Sequence, residues 1–236
     1  MTYYLHKTVN VIPGRLKKYT RLWPVVDAIE KPVLEKRKGC SVGGWTTVFG
    51  NVNHAFHLLS YEALSDVEAV VQELDALPGW REHNSRLEAC RDWVDTMVLQ
   101  RIISFPDAKY ADIMMSETER LYIHRIIELR PNMRERFISY LADIDAMEIP
   151  VMSKYGGKVH GHWATCFGRS DYVLSLSSYH DFSSRDAVVK ELRSFPQWSE
   201  KFDRGITTCR KTVHMSLVKP IPHSPKPSLQ TLSQID

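Results

Sequence analysis

The chain of 236 residues carries ten histidines, and several fall in strand-like runs where a side chain can be aimed at a ligand. His6 and His124 sit in matching contexts, Tyr4-Leu5-His6-Lys7 and Tyr122-Ile123-His124-Arg125. An imidazole with an ordinary pKa of about 6.5 can take or give a proton at neutral pH, so both are candidates for a general base or an orienting donor. The alternative for both is a hydrogen-bonded structural histidine that the repeat preserves. On a regular strand His6 shares a face with Tyr4, Thr8 and Asn10, and His124 with Tyr122, Ile126 and Glu128. His160 and His162 bracket Gly161, and residues at i and i+2 of a strand lie on one face, which makes them further candidates for proton transfer. No Asp, Glu or Cys beside them completes a ligand set, so polar pocket walls are expected ahead of a metal site. Trp45, Trp163, Tyr61 and Tyr179 could line an apolar substrate cavity with a few polar tips, or fill a sheet–helix core. Trp80 and Trp198, each two residues after a proline, read as core. Arg125 and its counterpart Lys7 could bind an acidic substrate group, or lie on a strand-edge surface.

The elements that must position these residues come from an internal repeat. Tyr4 is echoed by Tyr122, Pro13 by Pro131, Asp27 by Asp145, Glu30 by Glu148 and Gly39 by Gly157, a constant offset of 118 with no gaps. Trp45-x-Thr47-x-Phe49-Gly50 falls on Trp163-x-Thr165-x-Phe167-Gly168, and Pro78-x-Trp80 on Pro196-x-Trp198. Each copy reads as strand, long helix, strand, strand, helix, strand. Tyr3 to Val11 is β-rich and stops at Pro13-Gly14; the following stretch to Lys38 is helical, with Pro24 and Pro32 expected to kink or divide it. Trp45 to Phe49 and Ala55 to Leu59 are joined by the turn-rich Gly50-Asn51-Val52-Asn53, which suits an antiparallel hairpin. Ala63 to Ala76 is an amphipathic helix, and Val94 to Ile103 is a last strand. This order is the split βαβ, ferredoxin-like unit. The expected fold is α+β: two tandem βαββαβ units forming within one chain the α/β barrel that a homodimer usually makes. The units are expected at 1–103 and 121–220, with a linker at 104–120 and a Pro/Ser-rich tail at 221–236.

Composition narrows the function classes. Hydrophobic residues at 43% and charged residues at 25% describe an ordinary globular protein, and no run approaches the roughly 18 apolar residues of a membrane span. A net charge of +3 is mild, and no Lys/Arg stripe is interleaved with aromatics, which argues against nucleic-acid binding. The four cysteines are far apart without C-x-x-C spacing, so free thiols are expected. The strand-like pattern beginning at Thr2 leaves no room for a targeting segment, and a cytoplasmic product is the expectation. The sequence contains no Gly-rich phosphate loop, G-x-S-x-G elbow or paired-carboxylate motif, which argues against nucleotide-dependent enzymes and serine hydrolases.

Val42-Gly43-Gly44-Trp45, the turn at Gly50, His57-Leu58-Leu59-Ser60-Tyr61 and Pro78-Gly79-Trp80 follow one another in an order that resembles the NIPSNAP family. The resemblance covers both copies and implies the dimeric α/β-barrel superfamily. The chain departs from the family pattern at its first strands, where Leu5 and Ile123 stand in place of Glu, and at the third strand, where Ser175 replaces His57 in the second copy. From the resemblance we expect a small-molecule enzyme acting on an apolar substrate without a nucleotide cofactor, by oxygenation, isomerisation, cyclisation or dehydration; the alternative is a non-catalytic binding or adaptor protein. Haem is suggested only by superfamily membership and the spare histidines, and a further homodimer is a reasonable partner.

Overall fold

A computed structural model describes residues 2–104, 110–113, 120–167 and 171–221. Gly168, the partner of Gly50, most of the 104–120 linker and the tail beyond Ile221 lie outside the described residues. The chain divides into two compact units. The first runs to Leu99 and takes in Pro220 and Ile221; the second holds Gln100–Ile113 and continues to Lys219.

The first unit contains β1 (Tyr3–Val11), α1 (Leu16–Lys36), β2 (Cys40–Phe49), β3 (His54–Tyr61), α2 (Leu64–Ala76), α3 (Trp80–Glu88) and β4 (Arg91–Ile102), whose last residues pass into the second unit. The second unit repeats this with β5 (Leu121–Leu129), α4 (Arg134–Lys154), β6 (Lys158–Phe167), β7 (Tyr172–Tyr179), α5 (Phe182–Ser194), a further helical stretch from Pro196 to Cys209, and β8 (Arg210–Pro220). The strand order is β4-β1-β3-β2 in the first unit and β8-β5-β7-β6 in the second. The fold class is therefore the α+β one expected, two tandem ferredoxin-like units.

Alternation along each strand separates two sheet faces. In the first unit Leu5, Val9 and Val11 of β1 and Ala55, Leu59 and Tyr61 of β3 pack against buried residues of the helices, among them Tyr19, Trp23, Val26 and Leu34 of α1. His6 and Thr8 are buried on the other face. In the second unit Ile123, Ile127 and Leu129 of β5 join Phe137, Leu141 and Ile144 of α4 in the same way.

Two expectations need correction. Of the kink or division expected at Pro24 and Pro32, the division does not occur: α1 runs unbroken through both. Nine residues of that helix are buried, and Trp23, Val26 and Leu34 among them hold it against the sheet despite the lost N–H donors. The repeat is also not free of gaps. Ile12 N–H donates to the Cys90 carbonyl and Arg130 N–H to the Cys209 carbonyl; the donors Ile12 and Arg130 are 118 apart, the acceptors Cys90 and Cys209 119. The extra residue is absorbed in the second copy by a π-helix, Ser199–Ile206, where the first copy has the α-helical turns of α3.

Candidate functional site

The strands sort the candidate residues onto two different faces. On the face away from the helices, His6 is 1% exposed and its ring stacks on Phe56 with centroids 6.0 Å apart. Burial pushes its pKa down to about 3, which keeps it neutral. His124, Trp45 and Trp163 are equally buried. Trp45 pairs with Phe56 across the β2–β3 ladder and so belongs to the same packed layer as His6.

His160 and His162 do not share a face. The β6–β7 register shifts between Val159 and Gly161, and Gly161 has φ +146, a bulge that inserts one residue and reverses the alternation. A Cβ at Gly161 would lie 3.2 Å from the Arg101 guanidinium. His160 therefore points away from the helices: it stacks on Tyr122 at 5.3 Å, its Nε2 lies 2.8 Å from the Ser178 hydroxyl, and its Nδ1 lies 3.1 Å from the Ala111 carbonyl oxygen. A carbonyl only accepts, so Nδ1 donates and Nε2 accepts. Burial, partly opposed by the Ala111 hydrogen bond, brings its pKa down to about 4. His162 points to the helices, with Nε2 3.1 Å from Asp145 Oδ1 of α4. Asp145 Oδ2 accepts from Ser104 Oγ and Tyr110 Oη, each at 2.7 Å. Burial raises the Asp145 carboxyl, but His162, Ser104 and Tyr110 together outweigh it and hold its pKa below the usual range. Linker residues thus belong to a buried network of the second unit.

The helix-side face of the first unit contains a cavity of about 220 Å³. Leu5, Trp23, Val26, Val70, Leu74 and Trp80 give it an apolar wall, and Lys7, Glu30, Tyr61, Asn84 and Arg91 supply polar groups. Trp80, expected to be plain core, is part of this wall. Glu30 is 4% exposed; burial raises its pKa, Asp27 adds to the rise, and Lys7 and Arg91 oppose it. Burial, then the Glu30 charge, raises the Tyr61 phenol. The second unit carries the same set as Arg125, Glu148, Tyr179 and Arg210: burial raises Glu148 with Arg125 opposing, and Arg125 also acts on Tyr179 and Arg210. Lys7, Arg125, Tyr61 and Tyr179 thus fall on the helix side, while Trp45, Trp163, His6, His124 and His160 fall on the other.

Sequence reasoning missed Glu30 and Arg91 as cavity residues, along with their second-unit counterparts Glu148 and Arg210. The usable signal was an acid kept at the same place in both copies on the buried stripe of a long helix, where an unpaired carboxylate is costly. Haem does not fit this cavity, which is below the roughly 300–1,000 Å³ of sites for larger ligands and has no His, Cys or Met on its described lining. No helix among the described residues is long and apolar enough to cross a membrane.

Comparison with solved structures finds the same fold at low identity in two proteins aligned over nearly the whole chain. A candidate monooxygenase from Lactobacillus acidophilus NCFM aligns with a TM-score of 0.62 at 9% identity over 94% of each chain. Chlorite dismutase from Candidatus Nitrospira defluvii aligns with a TM-score of 0.52 at 10% identity over 99% of this chain and 94% of its own. A NIPSNAP-like domain protein from Burkholderia xenovorans is 24% identical over 46% of this chain and 91% of its own, with a TM-score of 0.40. Comparison with curated proteins finds no match. The NIPSNAP sequence profile matches twice, over residues 11–103 and 124–225, one match to each copy of the repeat. With most of its length covered by the two matches, the chain belongs to the NIPSNAP family.

Proposed function

We propose that this protein is an enzyme of small-molecule metabolism that moves a proton on a largely apolar substrate, without a nucleotide cofactor, in the helix-side cavity of its first unit. The observation that carries this is Glu30, a buried carboxyl with a raised pKa at a cavity that also presents Lys7, Tyr61 and Arg91. A carboxyl poised closer to neutrality is the better proton carrier, since it is available both as base and as acid. In an isomerisation or dehydration, Glu30 as carboxylate takes a proton from the carbon next to a carbonyl, and the electron pair moves to the carbonyl oxygen. Lys7 or Arg91 offsets the developing charge, and the proton returns to another carbon or to the departing hydroxyl. His6, His124, His160 and His162 are buried supports in this reading, and Trp45 and Trp163 shape the opposite sheet face.

Deuterium exchange tests it without knowledge of the product. The protein is incubated in D2O with small keto and hydroxy compounds of apolar body, and loss of C–H signals is followed by NMR. Exchange lost in Glu30→Gln with the fold intact supports the reading; no exchange with any compound removes it. A binding or adaptor role is the second reading. The observation that favours it is that Phe49 and Phe167, equivalent strand-end residues, are 61% and 57% exposed.

A further inference from the structure

We infer that the ligand of the first unit's cavity is a small monocarboxylate with a compact apolar body, its carboxylate held by Lys7 and Arg91 beside Glu30. This rests on the cavity being the working site. Lys7 lies on β1 and Arg91 on β4, adjacent strands, and both act on Glu30 from the same side of the sheet. Of the other acids nearby, Asp27 Oδ1 accepts from Ser41 Oγ at 2.6 Å, and Asp75 of α2 lines the cavity but is exposed. Two cations therefore face one buried acid; with Glu30 as the carboxylate that acts as base, one positive charge is left over, and an incoming monocarboxylate neutralises it. A second negative charge on the ligand would meet Glu30 and Asp75, the two acids on the lining, so a dianion is disfavoured. Leu5, Val26, Val70, Leu74 and the rings of Trp23 and Trp80 give the ligand's body a largely apolar surround that suits a ring or a short branched chain.

The test is titration of the full chain with benzoate and cyclohexanecarboxylate, with benzamide as the neutral shape match and phthalate as the dianion, followed by NMR and calorimetry. We expect the monocarboxylates to bind at least tenfold more tightly than benzamide or phthalate. Arg91→Met and Lys7→Gln should each lose about tenfold, while Arg210→Met in the second unit should change nothing. If Arg91→Met unfolds, Lys7→Gln still decides. Benzamide binding as well as benzoate would overturn the substrate class while leaving the cavity as a site. Failure of every probe to bind would overturn the site itself.

The second unit carries a separate observation. Asn84 lines the first cavity four residues after Trp80; four residues after Trp198 stands Phe202, whose ring lies on that of Trp198 at 4.9 Å and 10°, with the Arg210 guanidinium 5.4 Å above it. The geometry points to Phe202 as the residue that fills the equivalent space and ties up Arg210, leaving a latent site for the same class of anion. In an Arg91→Met background, where benzoate binding is about tenfold weaker, Phe202→Asn should restore one tight site, and in the otherwise native chain it should raise the stoichiometry from one to two. An unchanged stoichiometry in a folded Phe202→Asn chain would overturn this, and Phe202→Ala repeats the test if the Asn variant is unstable.

Discussion

His57 faces Gly44 across the β2–β3 ladder, and 118 residues later His162 faces Ser175 across β6–β7, so each copy holds one histidine at this cross-strand pair, from opposite strands. Both rings turn to their helix. His57 stacks on Trp23 with centroids 3.5 Å apart and its Nε2 lies 2.6 Å from Tyr19 Oη, whereas His162 meets Asp145. A histidine on both strands would not fit: a Cβ on Gly44 would lie 2.9 Å from His57 Nδ1 and 3.1 Å from Trp23 Nε1.

Gly44→Ala should accordingly destabilise the protein by about 1–3 kcal/mol through overpacking. Adding His57→Ser should recover part of that loss, because it removes the ring the new methyl strikes. Urea midpoints of the two single variants and the double variant measure the coupling. Strict additivity would show that the two sites do not touch.

The Asp145 network makes a second expectation. Tyr110→Phe removes one charge-assisted hydrogen bond from a buried carboxylate and should cost about 1.5–3 kcal/mol. The folded Asp145 pKa is depressed, so its contribution is present above the unfolded value near 3.8 and is lost as pH falls below it. Asp145→Asn should therefore flatten the stability profile below about pH 4. A profile identical to the native one would refute the network's role.

Buried neutral histidines work at a higher pH. His6 and His160 have folded pKa values lowered to about 3 and about 4, so the unfolded chain takes up protons that the folded chain refuses once pH drops below about 6.5. Each group then removes stability at up to about 1.4 kcal/mol per pH unit. His6→Gln should reduce that slope between pH 6 and 4, read from denaturant midpoints at several pH values. An unchanged slope would mean that His6 is protonated in the folded state.

Much of the fold was legible because repetition of Trp45/Trp163, Pro78/Pro196 and Tyr61/Tyr179 fixes the unit twice over. The elements followed from period and punctuation, such as Pro13-Gly14 and the Gly50 turn. The site was less legible. A bulge at Gly161 depends on the ladder to β7, and nothing in His160-Gly161-His162 by itself says that the alternation reverses there. The π-helix insertion was hidden because no residue type marks the extra position. Glu30 and Glu148 were visible as repeated letters, but their importance comes from burial beside Lys7 or Arg125, which only the packed helix supplies.

The central claim is that Glu30 carries the proton. The most direct measurement is substrate C–H exchange in D2O by native chain, Glu30→Gln and Glu148→Gln, each checked for thermal stability. Glutamine mimics the neutral acid that burial favours, so Glu30→Gln should be at least as stable as the native chain and yet lose exchange by 100-fold or more, in line with the loss of a general base. Glu148→Gln should keep it. Exchange that survives Glu30→Gln, or that disappears equally in Glu148→Gln, would contradict the account.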